Sequence, residues 1–136
     1  MNRLLCFKAP RSRLMCALFL LIFGVALLQP TPVAAAGSVG NGTPASCTET
    51  ALDAALADSG MVTFNCGAAM HTIVLTKGRN INAAVIVDGD HRVTLSGGGT
   101  TRLFSVTAAG VLTLKNLTLI DGAGDSGAVY NAGTFT

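Results

Sequence analysis

Residues 104–113 read FSVTAAGVLT, and residues 127–136 read GAVYNAGTFT. Laid over each other at an offset of 23, they put Val106 on Val129, Ala109 on Ala132, Gly110 on Gly133 and Thr113 on Thr136, with Leu112 on Phe135. A self-match at such a period marks a chain of stacked units, each burying its apolar face against the next. Working outward, Val93-Thr94-Leu95 and Leu117-Thr118-Leu119 lie 24 apart. Ile73-Val74-Leu75 and Val93-Thr94-Leu95 lie 20 apart, a spacing that also puts Gly78 on Gly98.

The units read as short strands. Residues 61–65, 72–76, 84–88, 92–96, 102–106, 111–114 and 117–120 are rich in β-branched residues and separated by Gly, Asn and Asp. Apolar residues alternate with Thr or Ser at Val93 and Leu95, Leu112 and Leu114, Leu117 and Leu119, so one face points in and the other out. Hairpin turns of the Asn-Gly kind are scarce after residue 42, which argues against an antiparallel meander. Repeats of 20 to 24 residues with two or three strands each fit an all-β fold, a parallel β-helix of about three coils. Gly97–Gly99 and Asp121–Asp125 stand where loops would leave the coil.

The first 36 residues read as an address. Arg3, Lys8, Arg11 and Arg13 form a basic start without an acid, followed by a 15-residue apolar run from Leu14 to Leu28. Pro30 and Pro32 break the run, and Val33-Ala34-Ala35-Ala36-Gly37 supplies the small residues of a cleavage site between Ala36 and Gly37. This order is that of a secretory signal peptide. The alternative is an uncleaved membrane anchor, although the run is short of the roughly 20 residues that span a bilayer. The chain is therefore expected outside the cell or on its surface, touching membrane only through this leader. Without the four leader cations, five basic residues remain against seven acidic ones, so the net charge of +2 becomes −2. Lys77, Arg79, Arg92, Arg102 and Lys115 are scattered singly and expected in solvent, with no basic stripe for nucleic acid.

Residues 37–46, made of Gly, Ser, Val, Asn, Thr, Pro and Ala, read as a flexible linker. Cys47 and Cys66 form an even pair expected to close a disulfide, which over a loop of 20 residues stabilises by roughly 3 kcal/mol. The other reading, a metal or redox pair, lacks a C-x-x-C and nearby partners beyond His71 and the more distant His91. Within the loop, Thr48 is a plausible N-cap, Glu49 suits the first helical turn, and Ala51, Leu52, Ala55 and Leu56 make a narrow apolar stripe. So short a helix needs a surface to cover, and the exposed first layer of the repeat is that surface.

Residues 47–52, CTETAL, followed by 62–67, VTFNCG, and 72–76, TIVLT, resemble the N-terminal cap and first coil of secreted bacterial right-handed parallel β-helix proteins of the pectin-lyase-like superfamily. Residues 117–122, LTLIDG, with 126–133, SGAVYNAG, resemble the repeats of that group and of polymorphic outer-membrane proteins, with Ser126 in place of a glycine. The resemblance covers about residues 47–136 and implies that only the capped first coils of a longer array are present. About three coils with a cap at one end are expected to give a marginal monomer, and the open last coil is a candidate surface for self-association.

The superfamily includes polysaccharide lyases, which combine an acidic calcium cluster with an Arg or Lys base. Calcium takes about six to eight converging oxygens. The candidates Asp88, Asp90, Asp121 and Asp125 each stand beside or near Gly, where Asp suits a turn, and Asp88 and Asp121 are 33 apart, which is no multiple of the coil. No metal ligand, cofactor or catalytic residue is therefore assigned, and Arg92 and Arg102 are not read as bases. Asn116 and Asn131 read as corner residues, and Tyr130 as packing or as a platform for a sugar ring. The expected function is that of an exported, non-catalytic, surface-associated or adhesive protein in contact with extracellular carbohydrate or a cell surface. The alternative is the N-terminal part of a lyase-like carbohydrate-active enzyme.

Overall fold

The computed structural model describes residues 37–136; the expected leader over residues 1–36, including Ala36, lies outside them. The alternating apolar residues form strands β1 (Gly37–Val39), β2 (Gly60–Phe64), β3 (His71–Val74), β4 (Arg79–Ile81), β5 (Ala84–Thr101), β6 (Phe104–Val106), β7 (Val111–Gly122), β8 (Val129–Asn131) and β9 (Thr134–Phe135). A 3-10 turn (Pro44–Ser46) and one helix, α1 (Glu49–Leu56), lie between β1 and β2. Among the described residues the fold is all-β, with one small helix.

Every strand pair is parallel. One sheet has the order β1-β2-β5-β7-β9 with β3 also on β5, and a second has the order β4-β6-β8. Parallel neighbours need a long connection, usually a helix. Between β1 and β2 the connection holds the 3-10 turn and α1, and from β2 onward it is made of other strands. The long strand β5 has two arms: residues 85–88 pair with β2, and residues 93–96 pair with β3. The chain visits the first arm (β2), the second arm (β3) and the second sheet (β4), and then returns through the two arms of β5 to β6. The same order repeats through β7 to β8, and β9 returns to the first arm.

Register places apolar residues above one another. Val62 stands beside Val87 and Val87 beside Leu114, while Val85 stands beside Leu112 and Leu112 beside Phe135. In the second arm Ile73, Leu95 and Leu119 form one row. Val62, Val87, Leu95, Phe104 and Leu112 are fully buried, whereas Leu114, Leu117 and Leu119 are partly buried against this core. Outward rows carry hydroxyls, as in Thr72, Thr94 and Thr118.

The corners use residues that tolerate left-handed backbone. Asp90 (φ 50), His91 (φ 57), Asn116 (φ 51) and Asp121 (φ 51) are the non-glycine positions of this kind among the described residues. Asn116 is thus a corner residue as expected. Asn131 does not adopt this conformation; its side-chain oxygen instead accepts from the Gly133 N–H at 3.0 Å. Gly89 is required between the arms of β5, because a Cβ there would meet the Asn116 carbonyl oxygen at 2.6 Å.

Several expectations need correction. The 24-residue offset of Val93 to Leu117 is the true register, as is the 23-residue offset of Leu112 to Phe135. But Val106 pairs with Asn131, 25 residues on, and Ile73 pairs with Leu95, 22 residues on. The connections differ in length, so no single offset serves all rungs. Residues 37–46 are not a flexible linker: β1 pairs with β2, and Val39 is fully buried. The glycines there serve close approach, since a Cβ on Gly40 would meet the Cys47 sulfur at 2.5 Å. Strand β4 was not foreseen, because Arg79-Asn80-Ile81 has one apolar residue.

Leu95→Ala should cost about 3 kcal/mol, while Thr72→Ala, on the outward row of the neighbouring rung, should cost under about 1 kcal/mol. Urea unfolding of both variants checks this, and equal losses would contradict the inward–outward assignment.

Candidate functional site

Two polar constellations and one shallow cleft stand out among the described residues. The first closes the β1 end of the larger sheet. Cys47 and Cys66 are disulfide-bonded, with Cα atoms 5.6 Å apart, and both are buried. The pairing expected from the sequence is the one observed. The His71 Nε2 donates to the Cys47 carbonyl at 3.1 Å and so braces this end, and the disulfide takes up the two thiols that the metal or redox alternative needs. The helix α1 begins as expected: the Thr48 hydroxyl accepts from the Ala51 N–H at 3.2 Å, and Leu52 and Ala55 are buried.

Glu49 and Asp53 lie one helical turn apart on one face of α1, where side chains at this spacing meet. Arg79 of β4 points at both. Its Nε donates to Asp53 Oδ1 at 2.8 Å, and one terminal nitrogen lies 2.7 Å from Asp53 Oδ1 and 2.8 Å from Glu49 Oε1. The other terminal nitrogen donates to the Lys77 carbonyl. Arg79 is only 6% exposed, so the expectation that every basic residue is solvated fails here. Glu49 also accepts from the Thr76 N–H and hydroxyl, each at 2.8 Å. Burial opposes ionisation of Glu49, but the bonds from Thr76 and the Arg79 guanidinium outweigh it and hold its pKa down at about 2. The sequence signal was present: two acids four apart on a short helix ask for a cation, but which cation is set by the fold.

The second constellation is Arg102 with Tyr130. The guanidinium lies over the tyrosine ring, 5.2 Å from its centre, and the ring is 46% exposed. The Arg102 Nε is buried without a protein partner among the described residues. Tyr130 shares an outward row with Asn80 and Ser105. The cleft, of about 160 Å³, is lined in part by Phe64, Cys66, Gly89, Asp90 and Arg92.

Of the four aspartates considered for calcium, Asp88 and Asp90 share one corner, and Asp121 lies at another. Asp88 accepts from the Asn116 side chain at 3.0 Å and from the Asp90 N–H at 3.1 Å, and these two bonds lower its pKa. Asp121 accepts from the Ser96 hydroxyl at 2.9 Å. Asp90 is 3.6 Å from Arg92, and both are exposed. These are corner braces that hold backbone turns. Gly37, on the C-terminal side of the expected cleavage point, is the first residue of β1.

No protein-family model matches the chain, and neither the curated proteins nor the solved structures compared with it give a match.

Because the Glu49 pKa is lower in the folded chain, its stabilisation is complete above about pH 4.5 and disappears as pH falls towards 2. Glu49→Gln should flatten the acid limb of stability in that window, read by thermal melts. Arg79→Met, which removes the buried guanidinium from Glu49 and leaves Asp53 with only the exposed Lys77 at 3.1 Å, should cost about 3 kcal/mol at neutral pH.

Proposed function

We propose that this chain is an exported, non-catalytic protein whose residues 37–136 form a capped right-handed parallel β-helix of the pectin-lyase-like type, acting by contact at a cell surface. The observation that carries the reading is the ladder pattern: all pairs are parallel, and the chain passes through the two arms and the second sheet in the same order on each return. Parallel crossovers are right-handed in nearly all proteins, which supports the hand. The disulfide and the 15-residue apolar run behind a basic start support export.

Contact is favoured over chemistry by where the polar groups go. Asp88 and Asp121 brace corners, Arg79 is consumed by α1, and Arg102 stacks on Tyr130. The outward row Asn80, Ser105, Tyr130 offers an amide, a hydroxyl and an exposed ring, a set suited to neutral or weakly acidic sugar surfaces. The outer edges of β8 and β9 have no ladder partner among the described residues, so a second copy is a further partner.

Fusion of residues 1–36 to a reporter should export it. On a panel of extracellular polysaccharides, the folded chain should be retained without releasing unsaturated product, and Tyr130→Ala should lower retention about tenfold. Release of unsaturated uronate would replace this reading with the lyase. Sedimentation should show association rising with concentration; a monomer at all concentrations would remove the second copy as a partner.

A further inference from the structure

Arg102 lies between β5 and β6, and the backbone around it is pinned by the rungs on both sides. The Thr101 carbonyl accepts from the Ala123 N–H at 3.1 Å. Leu103 donates to the Ala128 carbonyl at 3.0 Å and accepts from the Arg79 N–H at 2.9 Å. The side chain is half-buried. The turn at Gly124 packs against its outer end: a Cβ there would lie 3.2 Å from a terminal nitrogen and 3.9 Å from Nε. The Tyr130 ring holds it from another direction, with its centre 5.2 Å from the guanidinium carbon.

These neighbours position the guanidinium without satisfying it. The Nε is buried and has no hydrogen-bond partner among the described residues. Lys77, Arg79 and Arg92 each have a carboxylate partner, but among the described residues none pairs with Arg102, not even Asp125 beside Gly124. Arg79 is the contrast, since all three of its nitrogens find acceptors. An aromatic face attracts the charge of a guanidinium but does not replace an oxygen as acceptor for its N–H groups. Partial burial also reduces screening by water, so the charge pulls harder on an anion. The arginine fork fits an oxyanion with paired bonds. Beside it, Tyr130 is 46% exposed and shares its outward row with Ser105 and Asn80.

We propose that Arg102 and Tyr130 form a binding subsite for a sugar ring that carries an oxyanion, either a carboxylate or a sulfate. The sugar packs on the exposed part of Tyr130, and its anionic group takes the terminal nitrogens of Arg102. Ser105 and Asn80 meet hydroxyls of neighbouring units along the row. The inference rests on the reading of this face as a carbohydrate contact and narrows it to acidic polysaccharides. Residues 37–136 hold five basic residues against seven acidic ones, so overall charge repels such a ligand and binding depends on this one placed cation.

The test titrates the oxidised 136-residue chain in detergent micelles at low salt with three oligosaccharides of equal length. One is a uronic-acid oligomer, one its carboxyl-reduced neutral counterpart, and one a sulfated form of that neutral oligomer. At least one acidic form should bind about tenfold more tightly than the neutral one, and which form does so identifies the anionic group. Arg102→Gln should abolish the preference, and Arg102→Lys, which keeps the charge but not the fork, should recover part of it. Tyr130→Ala should weaken all three ligands, and Lys115→Gln, which removes an exposed cation elsewhere, should leave the preference intact. Thermal melts check that each variant is folded. Equal binding of all three oligomers by the unaltered chain would overturn the subsite and leave the carbohydrate contact in place. A preference that survives Arg102→Gln, or that Lys115→Gln removes equally, would overturn the assignment to Arg102. Binding of none of the three would overturn the contact reading, and the subsite with it.

Discussion

Each arm of β5 is hydrogen-bonded on both sides, to β2 or β3 on one edge and to β7 on the other. That double parallel pairing is the constraint on which the rest depends. Buried backbone groups must find partners, and in a parallel ladder the partner lies a long stretch of chain away. Here that stretch is itself made of strands, so satisfying one rung builds the next. The corners follow from it. To turn without helices, the backbone enters the left-handed region between the arms at Asp90, His91 and Asn116 and beyond the second arm at Asp121, and it passes so close at Gly89 that a side chain would collide with the Asn116 carbonyl.

A stack of rungs has ends, and an end exposes both unpaired backbone and apolar side chains. At the β1 end the answer is α1. Its apolar stripe supplies cover through Leu52 and Ala55, but a short helix held by that alone would have little directional preference. Arg79 adds direction. It takes two carboxylates from one face of α1 while its other end is bound to the Lys77 carbonyl, and the disulfide fixes the segment leading into the helix. A buried arginine with one partner missing would be costly, which makes the docked position of α1 specific rather than merely favourable.

This use of charge bears on function. The chain has few ionisable groups in residues 37–136, and the structure spends several on architecture: Glu49, Asp53 and Arg79 at the cap, Asp88 with Asn116, and Asp121 with Ser96. What faces outward includes the row of Thr72, Thr94 and Thr118 together with exposed apolar side chains such as Met70, Val74, Ile120, Tyr130 and Phe135. The alternation of Thr with Val and Leu that builds the ladder also writes that surface, because each inward residue leaves its neighbour outward.

The sequence by itself determined the period-two strands, the cysteine pair, the capped helix and the 24-residue register between Val93 and Leu117, because each rests on local spacing or on a short list of candidates. It misplaced the register of Ile73 and of Val106, since matching letters mark similar residues whereas the ladder follows backbone length around each corner. It misread residues 37–46, because Gly and Ser look the same in a loose linker and in a strand pressed against a helix at Ala55. Only the tertiary structure decided that Arg79 is the buried partner of Glu49 and Asp53 and that Arg102 stacks on Tyr130. Those pairings join residues 26 to 30 apart in the first case and on successive rungs in the second, so they exist only once the parallel register brings the rungs together.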